Sequence, residues 1–262
     1  MKRIHLFEFE DLSWFPDFIR VCMTQYLLLI HNLFGSRPVI ADLLSTTLKS
    51  TGKNHIIDLC SGAGGPMIDA FEDLKKSDFP HLQVSLSDLY PNQKAADLVN
   101  SRNEEGLKYI THPVDATHLQ EELDGLRTMV CSFHHMTEDN AKSILKDAFD
   151  KKEPILIYEI SDNSSPKFLW WTAFPINILV VLLLTPMIKP LTLNQIIFTY
   201  LIPVLPLVIA WDGAVSNART YSQNDLDLLT KDLQSDDYIW EKGIVKGKGN
   251  KLWLVGKPVR NA

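Results

Sequence analysis

The stretch HIIDLCSGAGGP, residues 55–66, constrains this chain more than any other. A short apolar run ends in an acid, Asp58, and then in a turn holding Gly62, Gly64 and Gly65, three of only 12 glycines in 262 residues. Glycine lets the backbone take left-handed conformations and come close to a ligand, so the pattern predicts a strand that delivers its backbone to a bound molecule. The dinucleotide fingerprint Gly-x-Gly-x-x-Gly does not fit, because the third glycine, counted from Gly62, falls at Met67. A phosphate-binding P-loop does not fit either, since no Gly-Lys-Ser/Thr follows.

Around this turn strands and helices alternate. Residues 55–60, 82–88, 107–112, 126–133 and 154–160 read as strands. Residues 66–76 and 91–105 read as helices, the second closed by Gly106, and a third runs to Asp150 from its N-cap, Thr137. Two helices precede the turn, one from Pro16 to about Phe34 and apolar almost all round, one from Pro38 to Lys49 and ended by Gly52. After a long apolar stretch, SQNDLDLLTKDL reads as a helix with Ser222 and Asp225 as a capping box. Two strand-like runs, YIWEKGIVKG and NKLWLVGKP, then read as a hairpin. Alternating elements of this kind imply a mostly parallel sheet covered by helices on both faces, with ligands bound beyond the carboxyl ends of the strands.

The glycine turn resembles the loop of class I S-adenosylmethionine-dependent methyltransferases, Asp/Glu-x-Gly-x-Gly-x-Gly. Here it runs Asp58, Leu59, Cys60, Ser61, Gly62, Ala63, Gly64, with Cys60 in place of the first glycine. The resemblance continues in Asp88 at the end of the second strand, in Asp115 of HPVDAT after the third, and in SFHH after the fourth. It implies a Rossmann-like three-layer sandwich with a C-terminal antiparallel hairpin and an apolar helical insertion. It also implies S-adenosyl-L-methionine as cofactor, held by Asp58, Cys60, Ser61, Gly62, Gly64, Asp88, Leu89, Asp115, Ala116 and Ser132. Within that set Asp88 would accept the ribose hydroxyls, Asp115 would meet the adenine, and Asp58 would lie near the ligand's ammonium group. Simpler readings stand beside these: Asp88 as a helix N-cap and Asp115 as a turn residue. Methyl transfer needs a group to take the acceptor's proton. The residues at the strand ends suited to this are His135 first, His134 second and Glu159, with Glu159 or Asp212 suited to hold an amine. No metal site is expected, since Cys60, Cys131 and His134 show no ligand spacing.

Composition bounds the rest. A net charge of −6 argues against a nucleic-acid partner, and three cysteines, Cys22, Cys60 and Cys131, make no disulfide framework. Acids in MKRIHLFEFEDLSW stand where a leader peptide would need an apolar core. The expected place is the cytoplasm, or the cytoplasmic face of a membrane.

From Phe168 to Ile188 no residue is charged, and from Pro190 to Trp211 again none. Each run reaches the ~20 residues of a spanning helix. Pro175, Pro186, Pro190, Pro203 and Pro206 are expected to cut the runs into shorter pieces, and of Trp170, Trp171, Tyr200 and Trp211 most lie toward the ends of the runs. Three readings stay open: a folded lid, a pair of helices lying in a bilayer surface, and a transmembrane hairpin. The chain therefore divides into an N-terminal helical cap (1–52), a cofactor-binding core (53–162), the insertion (163–221), and a helix and hairpin that complete the core (222–262). The expected activity is transfer of a methyl group to an apolar or amphipathic acceptor, lipids included, at a membrane surface. The alternatives are a soluble small-metabolite methyltransferase with the insertion as lid, and a membrane-tethered protein that binds the cofactor without transfer.

Overall fold

Ile56 and Ile57 are neighbours in sequence, and both are fully buried, on opposite faces of one sheet. Successive strand residues alternate between faces, so a strand covered on both sides must be apolar throughout. The structure, a computed structural model, describes residues 1, 3–164, 166 and 168–259, and the side chains of residues 168–172 lie outside that description. Among the described residues, five parallel strands form, β1 (His55–Asp58), β2 (Gln83–Leu86), β3 (Leu107–Tyr109), β4 (Leu126–Val130) and β5 (Ile155–Glu159). An antiparallel pair, β6 (Tyr238–Val245) and β7 (Lys251–Pro258), completes a seven-stranded sheet in the order β3-β2-β1-β4-β5-β7-β6. The order reverses between β1 and β4, whose registers pair Asp58 with Thr128. A ligand site is favoured beyond the carboxyl ends at this reversal.

One face is covered by α2 (Ser36–Thr51), α3 (Gly65–Lys76) and α4 (Gln93–Ser101), which bury Ile40, Leu44, Phe71 and Val99 against Ile56, Val84 and Leu156. The other face is covered by α5 (Glu138–Asp150) and α9 (Gln223–Thr230), through Ile144, Leu145, Leu226 and Leu229 against Ile57, Met129 and Ile157. The expected capping box is present, with Ser222 and Asp225 each accepting from the other's backbone N–H. α4 stops at Ser101 rather than running to Gly106, because Asn103 (φ 47°) turns left-handed and Gly106 (φ 88°) leads directly into β3. β4 ends before its expected limit for the same reason: Cys131 takes φ 55°, and a 3-10 turn follows over Phe133–His135.

The remaining helices, α1 (Asp17–Leu33), α6 (Phe168–Leu184), the short α7 (Leu193–Ile196) and α8 (Val204–Arg219), pack on one another. α1 buries Ile19, Cys22 and Met23 against Leu205 and Val208 of α8. Pro175, expected to break the first apolar run, lies inside α6. One missing amide costs one helical bond, and the apolar residues on either side of it continue the helix without a polar break. Pro206 sits in the first turn of α8, where its missing N–H would have had no helical partner. Among the described residues no single helix is long and apolar enough to cross a membrane, although two bent helix pairs, Asp17–Leu33 with Ser36–Thr51 (76°) and Leu193–Leu201 with Val204–Arg219 (87°), pass that test together. The side chains of Trp170 and Trp171, expected to lie at an interface, fall outside the described residues.

Candidate functional site

The loop after β1 is built around Asp58. Its buried carboxylate accepts from the Thr128 hydroxyl on Oδ1 (2.7 Å) and from the Ser61 hydroxyl on Oδ2 (2.7 Å). Burial pushes the Asp58 carboxyl up to about 7, against those two hydrogen bonds. Asp58 thus faces the strands beneath the loop and pins β1, β4 and the turn together. Cys60 takes φ 56°, the left-handed conformation that a glycine adopts freely, so the loop keeps its path although a side chain is present. Burial, with Asp88, Asp58 and Asp115 nearby, pushes its thiol up to about 12, so it stays protonated.

The two loop glycines serve different ends. A Cβ on Gly62 (φ 54°) would meet nothing within 4 Å, so the surface above it is open. A Cβ on Gly64 (φ 88°) would lie 2.6 Å from Ile68 Cδ1 and 2.9 Å from Leu86 Cδ1. Those are side-chain ends that can shift, so Gly64 is needed first for its left-handed turn at the start of α3. Gly64→Ala should therefore cost ~1–3 kcal/mol and lower the melting temperature by several degrees. A thermal unfolding curve unchanged from wild type would refute this account of the loop.

Asp88 lies at the end of β2 and joins it to the loop. Its Oδ2 accepts from Gly62 N–H (3.0 Å) and its Oδ1 from Tyr90 N–H (2.9 Å). It does not cap α4, whose N-cap is Asn92. Each carboxylate oxygen has a second lone pair, so both can still accept from a ligand. Leu89, beside it, is 40% exposed. Asp115 is exposed and accepts on Oδ1 from the N–H (2.8 Å) and hydroxyl (2.7 Å) of Thr117, the geometry of a turn, while Ala116 is buried behind it. Val114 N–H donates to the Asp88 carbonyl (2.9 Å), which brings this segment beside the β2 end. Ser132 is buried, its hydroxyl 3.5 Å from the Leu59 carbonyl.

The two histidines differ. His134 is buried; its N–H donates to Glu159 Oε1 (2.9 Å) and its ring Nδ1 to Glu159 Oε2 (2.8 Å). A carboxylate only accepts, so Nδ1 carries the hydrogen and the lone pair is left on Nε2. His135 stands in an ion cluster instead. Its Nδ1 lies 3.0 Å from Asp11 Oδ1 and 3.6 Å from Glu8 Oε2, and its Nε2 lies 3.8 Å from Glu10 Oε1. Burial lowers its pKa, but the Asp11 hydrogen bond and the charges of Glu8 and Glu10 outweigh that and raise it to about 9. Arg219, on α8, closes the cluster, with Nη1 2.7 Å from Asp11 Oδ2 and 3.0 Å from Glu8 Oε1. Glu8, His134 and His135 bring ligand atoms within 4.8 Å of one another, a spacing that a cation could bridge. The Arg219 guanidinium stands beside the same carboxylates and supplies positive charge there.

The acids of this cluster belong to a segment that crosses the histidine turn. The Arg3 guanidinium donates to the carbonyls of His134 (2.7 Å) and Met136 (2.7 Å) and lies over the Tyr221 ring. Asp212, on α8, accepts from the N–H groups of Phe9 (2.8 Å) and Glu10 (3.2 Å), and burial pushes it up to about 7. Trp211 Nε1 donates to the Phe7 carbonyl (3.0 Å). Sequence reasoning proposed Asp212 for holding an amine and missed Arg3, Glu8, Asp11, Thr128 and Arg219. The one local signal was FEFED, where aromatic and acidic residues alternate as in a segment with two unlike faces. Beyond Glu159, a cleft of about 400 Å³ is lined by Phe34, Ile160, Ser161, Asp162, Asn217 and Asn250 among others.

No family model matches the chain, and no curated protein matches it in sequence. Solved structures do. The plantazolicin methyltransferase BpumL in complex with SAH is similar with a TM-score of 0.57 at 10% identity, over 89% of this chain and 88% of that one. The S-adenosylmethionine-dependent methyltransferase SibL in its apo form is similar with a TM-score of 0.54 at 12% identity, over 88% of this chain and 56% of that one. An O-methyltransferase family protein from Burkholderia thailandensis is similar with a TM-score of 0.52 at 12% identity, over 89% and 57%. The chain thus spans little more than half the length of the last two. Strand order, terminal hairpin and these likenesses agree that the chain has the fold of the class I S-adenosylmethionine-dependent methyltransferases.

Proposed function

We propose that this protein is an S-adenosylmethionine-dependent methyltransferase acting on an apolar or amphipathic acceptor at a membrane surface. The observation that carries the reading is one edge of the sheet, where a glycine loop tied to Asp88 stands beside a buried His134–Glu159 pair. The residues fit the cofactor. The open space above Gly62, the unused lone pairs of Asp88 and the exposed Leu89 lie together at the reversal of strand order. Asp88 would hold the ribose hydroxyls and Leu89 would cover the base, while Asp58 keeps the loop in place from below. When bound, the cofactor supplies a methyl group activated as a sulfonium, whose carbon–sulfur bond breaks as the acceptor's lone pair attacks.

The chain's own task is to align the acceptor, exclude water and remove its proton. His134 takes that proton on Nε2, and Glu159 stabilises the imidazolium through Nδ1. The role that the sequence placed first on His135 moves to His134, because an imidazole with a pKa of about 9 is already protonated near neutrality. Proteins of similar fold include an O-methyltransferase family protein and the plantazolicin methyltransferase BpumL, which supports small-molecule transfer. The membrane part rests on the insertion, whose outer face exposes Leu183 (75%), Leu193 (70%) and Leu201 (78%) with Lys189 as its one charge between residues 168 and 211. A protein interface carries a polar rim, whereas a bilayer needs none. The polar cleft beyond Glu159 and the apolar insertion together suit an amphipathic acceptor. The free thiols of Cys22, Cys60 and Cys131 suit a cytoplasmic face.

Asp88→Ala should weaken S-adenosylmethionine binding by ~10²–10⁴-fold, since it removes two charge-assisted bonds of roughly 1.5–3 kcal/mol each. Calorimetry giving equal affinity in wild type and variant would remove Asp88 from the site. Binding of a nicotinamide dinucleotide in place of S-adenosylmethionine would overturn the whole reading. Mass spectrometry of lipid and metabolite extracts, incubated with protein and isotopically labelled donor, identifies the acceptor.

A further inference from the structure

Glu8 is fully buried, yet among the described residues neither carboxylate oxygen accepts a well-aligned hydrogen bond. A buried carboxylate without hydrogen bonds is rare, because the loss of water is not replaced. Two cations stand close without replacing it. Arg219 Nη1 lies 3.0 Å from Glu8 Oε1 as an ion pair and donates its shorter contact to Asp11 Oδ2 (2.7 Å). His135 Nδ1 lies 3.6 Å from Glu8 Oε2 and bonds Asp11 Oδ1 (3.0 Å). Asp11 takes the hydrogens of both cations, so Glu8 is balanced in charge and unsatisfied in hydrogen bonding.

Its position gives the gap a use. A Glu8 oxygen and a ring nitrogen of each histidine lie within 4.8 Å of one another. A polar atom about 2.8 Å from a Glu8 oxygen would at that separation be within reach of the His134 ring as well, once side chains give way to admit it. Resting on the function proposed above, we infer that Glu8 binds the methyl acceptor, accepting a hydrogen from its hydroxyl or amine group and holding that group against His134. Glu8 selects the ligand by hydrogen bonding. Glu8 stands among balanced charges, Glu10, Asp11 and Glu159 facing Arg219, Arg3 and His135, and its carboxylate can only accept, so an amine or a hydroxyl has the hydrogen it needs and a carboxylate has none to give. The acceptor class is therefore an alcohol or amine with an apolar body, and ionised fatty acids are disfavoured because they bring no hydrogen to Glu8.

The test uses the full chain loaded with S-adenosylhomocysteine, with octylamine, octanol and octanoate as probes in calorimetry. Octylamine and octanol should bind, and octanoate should bind at least about tenfold more weakly. Glu8→Gln should bring the octylamine and octanoate affinities to within about threefold of each other, while octanol affinity and S-adenosylhomocysteine affinity stay near wild type. A damaged fold would weaken all three probes alike, so the ratio separates recognition from structure. Glu10→Gln removes the same charge from the same segment and should keep the preference. Octanoate binding as tightly as octylamine, no probe binding, or an unchanged ratio in Glu8→Gln would each overturn the inference while leaving the cofactor reading intact. Failure of the wild type to bind S-adenosylhomocysteine would overturn both.

Discussion

Replacing His134 with alanine should lower turnover by about 10²–10⁴-fold and leave donor affinity within about threefold of wild type, the range general-base catalysis supplies. The expectation follows from tautomer and charge. Glu159 accepts from the His134 N–H (2.9 Å) and from ring Nδ1 (2.8 Å), which fixes the ring and directs the lone pair of Nε2 away from the carboxylate. Glu159→Gln keeps a hydrogen-bonding side chain but removes the charge that stabilises the imidazolium, so it should lose most of the same turnover. His135→Asn should do less to the chemical step, because a protonated ring is no base; its effect should fall on the order of the acidic segment that crosses it. The measurement is single-turnover transfer with donor affinity determined separately. Full turnover in His134→Ala would remove the base, and a His135 variant slower than the His134 variant would reverse the two roles.

How far this site could be read in advance depended on distance along the chain. Asp58, Gly62, Gly64 and Asp88 sit at the ends of regular elements, and regular elements announce themselves by period and by their stops. The same holds for Thr137 and Ser222, whose capping roles need only local spacing. Gly64 shows the limit of that reading. A glycine read as making room for a ligand also turns left-handed and lies against Ile68 and Leu86, which only the folded chain could reveal. The ion cluster of Glu8, Asp11, His135 and Arg219 joins residues more than a hundred positions apart. No periodicity encodes such a meeting, and the acids of FEFED counted only against a leader peptide. α1 likewise looked apolar all round, yet Phe18 (44%), Val21 (51%) and Leu27 (41%) are exposed while its other face packs on α8. A helix apolar on both faces leaves open which face meets the protein.

Leu183→Lys with Leu201→Lys should abolish flotation with phosphatidylcholine vesicles, weakening partition by ~10²-fold or more, since each side chain gives up about 1.5–3 kcal/mol of apolar burial. Both residues are more than 70% exposed, so lysine there breaks no internal packing and the melting temperature should hold. Removing the insertion whole is the poorer experiment. α8 supplies Asp212, which ties down Phe9 and Glu10, and Arg219, which pairs with Asp11, so its loss would disturb the histidine turn along with any membrane contact. The two lysines act only at the outer face. Donor affinity should therefore be unchanged in the double variant, and turnover on an acceptor presented in solution should persist while turnover on the same acceptor in vesicles falls. A soluble lid makes the opposite forecast: wild-type protein stays monodisperse without detergent, never floats, and the double variant behaves like it. The wild type has Leu193 (70%), Ile202 (50%) and Leu207 (51%) exposed on the same insertion, so even one substitution should leave measurable partition and two should not. That graded loss distinguishes a bilayer, to which each side chain adds independently, from a single protein pocket that one charge would close.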